Sequence, residues 1–196
     1  MERIGKVARK TKETDIQVSL RLDGKGQASV DTSIPFLDHM LVLFAAHGFM
    51  DLELSAKGDT EVDYHHTIED LGICLGMALD KALGDRSGIR RFGEATVPMD
   101  EALARVVLDM SNRPFLSYHV PAERCFAGSF DIGLLNEFFR ALANKSGMNL
   151  HVDLIRGDDP HHISEAIFKA FARALDMACT LEDRLQGTVP STKGLL

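Results

Sequence analysis

The chain predicts an α+β fold: a two-layer sheet/helix sandwich built by an internal duplication. Three observations carry this expectation. The pattern His-His-x-x-Glu at His65, His66 and Glu69 recurs ninety-six positions later at His161, His162 and Glu165. The elements around each copy follow one order, strand-strand-strand-helix-strand-helix. A Gly-Asp pair, Gly58-Asp59 and then Gly157-Asp158, follows the fourth strand of each copy. Strands with one apolar face need a helical layer to cover them, which gives the two layers.

Residues 3–11, 15–22 and 26–33 alternate apolar and polar side chains, as half-buried strands do. Asp23-Gly24-Lys25-Gly26 between the last two reads as a hairpin turn. Residues 35–48 form an amphipathic helix, with Pro35 near its start and Gly48 at its end. Residues 51–56 are a strand. A helix covers residues 69–83, with a start as early as His65. In the second half residues 93–98, 103–110 and 114–121 are strands, 132–145 a helix and 148–155 a strand. The second His-His-x-x-Glu opens a last helix that runs to about residue 181. The copies meet at residues 87–90. We therefore expect repeat halves over 1–89 and 90–182, joined in a single domain, and a Gly/Ser/Thr-rich functional tail over 183–196.

At 196 residues, 45% hydrophobic and 26% charged, the chain can bury a core without staples. A net charge of -7 with both signs scattered excludes nucleic acid as the main partner. Met1-Glu2-Arg3-Ile4-Gly5 has no apolar signal core, and no apolar run approaches membrane-span length. A cytoplasmic protein with no membrane partner is expected. The three cysteines are odd in number and lack paired spacing, which suits reduced core thiols.

On a helix His65 and Glu69 are four apart and His66 and Glu69 three apart, so each pair shares a face. Adjacent histidines diverge by about 100° around the axis. One motif therefore cannot easily give both imidazoles to one ion, whereas two motifs can give each of two ions a mixed set. Imidazole and carboxylate without thiolate suit Mn, Fe or Zn, and six-coordinate Mn accepts such O/N ligands well. The metalloprotease pattern His-Glu-x-x-His is absent. His39, on the preceding helix, and its second-half counterpart Glu137, allowing a one-residue shift, are further candidate ligands. Arg90, Arg91 and Arg113 are candidate phosphate forks, with Ser191 and Lys193 in a loop that could close over an anion. Glu13, Asp100 and Glu101 are turn or surface carboxylates by default.

Six stretches carry a family resemblance: Phe36-Leu37-Asp38-His39-Met40-Leu41, Asp63-Tyr64-His65-His66-Thr67-Ile68-Glu69-Asp70, Pro98-Met99-Asp100-Glu101-Ala102, Ser111-x-Arg113-Pro114, Pro160-His161-His162-x-x-Glu165-Ala166 and Gly187-Thr188-x-Pro190-Ser191-x-Lys193-Gly194. With Arg9-x-Thr11-x-Glu13-Thr14 they span nearly the whole chain, which resembles imidazoleglycerol-phosphate dehydratase, the dehydratase of histidine biosynthesis. The resemblance implies a ribosomal S5 domain 2-like duplicated fold and two Mn ions per active site. It also implies a homo-24-mer with active sites shared between subunits.

The resemblance places metal ligation on His39, His65, His66, Glu69, His161, His162 and Glu165, with Glu137 standing where many members carry His. It places binding of the phosphorylated substrate on Glu13, His65, Arg91, Arg113, His161, Ser191 and Lys193. Leu43 stands where many members carry Gln near the phosphate. The implied reaction converts imidazole glycerol phosphate to imidazole acetol phosphate and water. The C2 proton it removes is not next to a carbonyl, so the C3 hydroxyl must leave first or something must hold the developing charge; the substrate ring can do so as imidazolate. Metal coordination makes the ring N-H easier to remove. Glu13 and Glu165 are the expected proton-transfer groups, and the basic cluster fixes the chain by its phosphate. The alternatives are another metal-dependent lyase or hydrolase acting on a phosphorylated small molecule, or a non-enzymatic metal-binding protein.

Overall fold

The computed structural model of the chain describes residues 2–121, 125–185 and 187–194. The first half runs β1 (Ile4–Lys10), β2 (Thr14–Arg21), β3 (Ala28–Asp31), α1 (Pro35–Gly48), β4 (Asp51–Gly58) and α2 (His65–Leu83). The second runs β5 (Phe92–Met99), β6 (Ala102–Asp109) and β7 (Phe115–His119), then a small hairpin of β8 (Phe126–Ala127) and β9 (Phe130–Asp131). It continues with α3 (Leu135–Ser146), β10 (Asn149–Arg156) and α4 (Pro160–Cys179).

The two large sheets have matching strand orders, β1-β2-β4-β3 and β5-β6-β10-β7. In each, the last pair, β3 with β4 and β7 with β10, is parallel. The other neighbours are antiparallel. Alternation puts Ile16, Val18 and Leu20 of β2, and Ala104, Val106 and Leu108 of β6, on buried faces. α2 covers β1 and β2 and also packs on α3; α4 covers β5 and β6 and also packs on α1. Each half is thus sheet against helices, and the helix layers of the halves face each other. Phe44, Phe138, Phe139, Phe168 and Phe171 fill that seam, with Phe44 and Phe171 stacked at 5.6 Å.

The helices lie hard against the outer strands. A Cβ built on Gly5 of β1 would stand 1.8 Å from the Ala78 carbonyl oxygen of α2. One built on Gly93 of β5 would stand 1.8 Å from the Ala174 carbonyl oxygen of α4.

Several boundaries differ from the sequence expectation. α2 takes the earlier of its two expected starts, His65, where the Asp63 carboxylate accepts the His65 N–H at 2.7 Å. The helix expected from residue 132 opens as a 3-10 turn, Ile132–Leu134, capped by Asp131. α4 ends at Cys179, where Leu181 leaves to bridge Ile89. The hairpin β8–β9 is too short to produce a readable alternation. The shift assumed between the half-equivalent helices is absent. Phe49 and Gly147 both cap in the left-handed conformation, and both are ninety-eight residues apart in the same sense as His39 and Glu137.

Candidate active site

α4 begins with the second motif. Asp159 caps it, accepting the backbone N–H groups of His161 and His162. This cap sets both imidazoles on the first turn, and Glu165 follows one turn later on the His161 face. Glu165 is buried at 7% exposure. Its Oε1 accepts from His161 Nε2 at 3.0 Å and from His39 Nε2, on α1, also at 3.0 Å. Its Oε2 accepts from Lys169 Nζ at 2.5 Å. Burial alone would push the Glu165 carboxyl up, but the hydrogen bonds from Lys169, His39 and His161 outweigh it and hold the pKa at about 2. The His161 ring packs edge-on against Phe36, centroids 5.5 Å apart, and lies 5.4 Å from the His39 ring.

One donor atom from each of His39, His161 and Glu165 lies within 4.8 Å of the others. Two imidazole nitrogens and a carboxylate converging on one point form a donor set that fits a divalent cation of the Mn, Fe or Zn type. The half-related set is looser. His65 Nε2 stands 3.8 Å from Glu69 Oε2. Glu137, on α3, accepts from Arg140 at 3.1 Å instead of turning toward them. Among the described residues only the first set is drawn together.

His66 and His162 diverge from these sets, as the helix geometry requires. His66 Nδ1 bonds Asp59 Oδ2 at 3.0 Å, and His162 Nδ1 bonds Glu101 Oε2 at 2.7 Å. Each bond raises its imidazole's pKa. Glu101 is more than the surface carboxylate its turn position suggested. It accepts the Asp159 N–H at 2.9 Å as well as the His162 bond, and together these hold it at about 2. Lys169 escaped the sequence reading, and Asp59 and Glu101 entered it without a role toward the histidines. Only Lys169 left a usable signal, its i+4 spacing from Glu165.

A second group gathers on Asp109. Arg91 Nε and one terminal nitrogen bond its two carboxylate oxygens at 2.6 and 3.0 Å, and the other terminal nitrogen donates to the Pro190 carbonyl at 2.9 Å. Arg113 approaches the same carboxylate at 3.9 Å. Arg91 therefore ties the tail segment carrying Ser191 and Lys193 to β6, and Ser191 Oγ accepts the Lys193 N–H at 3.2 Å. Arg90 turns instead to Glu182, 3.7 Å away.

The two groups stand far apart within one chain. His162 meets Glu101 just before β6, whereas Arg91 and Arg113 meet Asp109 at its other end. At a strand rise of about 3.3 Å per residue, β6 separates them by about 23 Å. α4 gives an independent ruler: Arg91 N–H donates to the Ala178 carbonyl. His162 to Ala178 along that helix is about 24 Å.

Residues 32–175 match the family model described as imidazoleglycerol-phosphate dehydratase. The chain belongs to that family. Imidazoleglycerol-phosphate dehydratase of Geobacter sulfurreducens is 56% identical over 196 residues, covering all of both chains. That of Thioalkalivibrio sulfidiphilus is 55% identical, covering 100% of this chain and 99% of its own. The crystal structure of imidazoleglycerol-phosphate dehydratase from Staphylococcus aureus superposes with a TM-score of 0.82 at 40% identity, covering 91% of this chain and 99% of that one. The Pyrococcus furiosus structure gives 0.81 at 38%, covering 97% and 100%. The fold and the hydro-lyase class follow from this membership. Among the described residues no helix of this imidazoleglycerol-phosphate dehydratase family member is long and apolar enough to cross a membrane. Cys74, Cys125 and Cys179 are unpaired thiols, and burial pushes Cys74 and Cys179 up to about 11 and about 12.

Proposed function

We propose that this chain dehydrates imidazole glycerol phosphate to imidazole acetol phosphate in histidine biosynthesis, in the cytoplasm, with two manganese ions per active site. The convergence of His39, His161 and Glu165 on one point, in a chain of this family, is the observation that carries the reading. Those three residues would hold one ion, and the half-related His65, Glu69 and Glu137 the other. His66 and His162 point away from these sets and would complete them in a neighbouring copy. When bound, the metal supplies Lewis acidity that makes the N–H of a coordinated ring easier to remove.

The protein groups then divide the work. His65 and His161 border the ring of the substrate. Glu165 is taken up by two imidazoles and an ammonium, which suits a ligand better than a proton carrier. Glu13 is exposed, and its carboxylate has no hydrogen-bond partner among the described residues. It is the better group to take the C2 proton. Arg91, Arg113, Ser191 and Lys193 would hold the phosphate. Leu43 packs against the core from α1, so it adds no polar contact there.

A glycerol chain cannot bridge the separation between the histidines and the arginine cluster of one copy. This supports sites shared between copies, and a closed assembly such as the homo-24-mer. The repeat halves 1–89 and 90–182 would supply the ring-binding helices and the tail 183–196 would close the phosphate end. Met1, Ala122, Glu123, Arg124, Gln186, Leu195 and Leu196 of these segments lie outside the described residues. The test is a dehydratase assay on chelator-stripped protein. Turnover of imidazole glycerol phosphate that returns with Mn supports the proposal. No product with Mn present contradicts it.

A further inference from the structure

The two outward histidines are held by carboxylates from different places in the repeat. β2 opens at Thr14, which pairs with Gly58; β6 opens at Ala102, which lies beside Gly157, one residue past the Leu103–Arg156 pair. Glu13 and Glu101, each one residue before these positions, are therefore equivalents. Asp59 and Asp158, each one residue after the paired glycine, are equivalents too. The second half orients His162 with Glu101, the residue before its strand. The first half orients His66 with Asp59, the residue after its strand, and leaves the Glu13 carboxylate without a hydrogen-bond partner among the described residues.

We propose that Asp59 and Glu101 are positioning residues, which fix His66 and His162 through Nδ1 so that each presents Nε2 to a metal. The inference rests on the ligand reading above. Three observations support it. First, a carboxylate on Nδ1 fixes both the tautomer and the ring plane, and leaves Nε2 as the ligating nitrogen. Second, Asp59 is held at a cost: its Oδ1 is buried without a hydrogen-bond partner among the described residues. A buried acceptor left unpaired in a native fold calls for a reason, and orienting His66 supplies one. Third, neither pair follows from strand register. His119 and Asp153 form a similar pair at 3.0 Å, but they are register partners across β7 and β10, so adjacency alone brings them together. Asp59 reaches its histidine from the loop after β4 and Glu101 from the turn before β6. The exchange of partners also explains why Glu13 is free to serve the reaction.

The experiment measures Mn(II) binding to the chelator-stripped, assembled protein by the electron paramagnetic resonance signal of free Mn. Asp59→Ala should weaken binding about 10–100-fold at one class of site. Asp59→Asn keeps an acceptor oxygen for Nδ1 and should recover most of that loss, which a role in folding alone would not predict. Asp59→Ser keeps a polar turn residue too short to reach the ring, and repeats the reading should Asp59→Ala not fold. Asp153→Asn, at the register-driven pair, should leave binding unchanged. His66→Ala separates ligation by His66 from its positioning by Asp59. If it loses Mn while Asp59→Ala and Asp59→Ser bind as tightly as the parent, the positioning role is wrong and the ligand reading stands. If His66→Ala keeps its Mn, the ligand reading falls and the positioning role with it.

Discussion

His39 Nε2 donates to Glu165 Oε1 at 3.0 Å across 126 positions of sequence, so one carboxylate joins α1 of the first half to α4 of the second. The candidate metal set is therefore a product of the seam between the halves, and neither half could form it alone. Removing the charge at Glu165 and at Glu13 should have different consequences. Glu165→Gln should lose bound Mn and activity together. Glu13→Gln should keep its Mn and lose roughly 10²–10⁴-fold in kcat. Metal analysis beside steady-state kinetics checks both. Full activity in Glu13→Gln would move the proton-transfer role elsewhere.

Lys169 should matter most when no metal is present. Its ammonium meets Glu165 Oε2 at 2.5 Å, with side chains 15% and 9% exposed. Lys169→Met leaves that carboxylate buried with only the imidazoles, which should destabilise the metal-free protein by about 3–5 kcal/mol. Saturating Mn binds only the folded form and should offset much of this loss. Urea midpoints with and without Mn measure the difference.

Gly5 and Gly93 should resist the smallest substitution available. Either Gly→Ala change drives a methyl into a helix backbone oxygen. Each should cost about 1–3 kcal/mol or more, because backbone cannot rotate out of the way as a side chain can. Thermal melts of the two variants check this. A melt unchanged in either would mean that α2 or α4 can slide on its sheet.

Acid should weaken a contact far from the candidate site. The Arg3 guanidinium hydrogen-bonds the Asp23 carboxylate, with Nε to Oδ2 at 2.8 Å, and this bond lowers the Asp23 pKa. The folded value therefore lies below the unfolded one, near 3.9. The contribution is present in full above the unfolded value and is lost as pH falls through the folded value. Asp23→Asn should remove that acid-side loss. Urea midpoints of metal-free parent and variant between pH 6 and 3 should converge at the acid end, on the order of those pKa values.

Much of this was legible because duplication writes the same pattern twice. The strand alternation of Ile16-Val18-Leu20 and Ala104-Val106-Leu108 and the ninety-six-residue recurrence of His-His-x-x-Glu are local signals. The repeat also pointed to His39 and Glu137 as equivalents. What stayed hidden depends on distance in space. Asp59 and Glu101 look like ordinary turn carboxylates until the turns are folded against the helix starts. Gly5 and Gly93 look like weak strand residues until α2 and α4 are laid upon them. The separation of the histidines from Arg91 and Arg113 needs the direction of β6 and α4, which no residue pattern states.

That separation predicts that one active site draws its ring-binding and phosphate-binding groups from different copies. Arg113→Ala and Glu165→Gln chains, each inactive alone, should be mixed, dissociated and reassembled together. Shared sites predict that activity returns, to about a quarter of the parent in an equal random mixture, since each site then draws two groups independently. Activity no higher than the sum of the two separate variants would contradict shared sites.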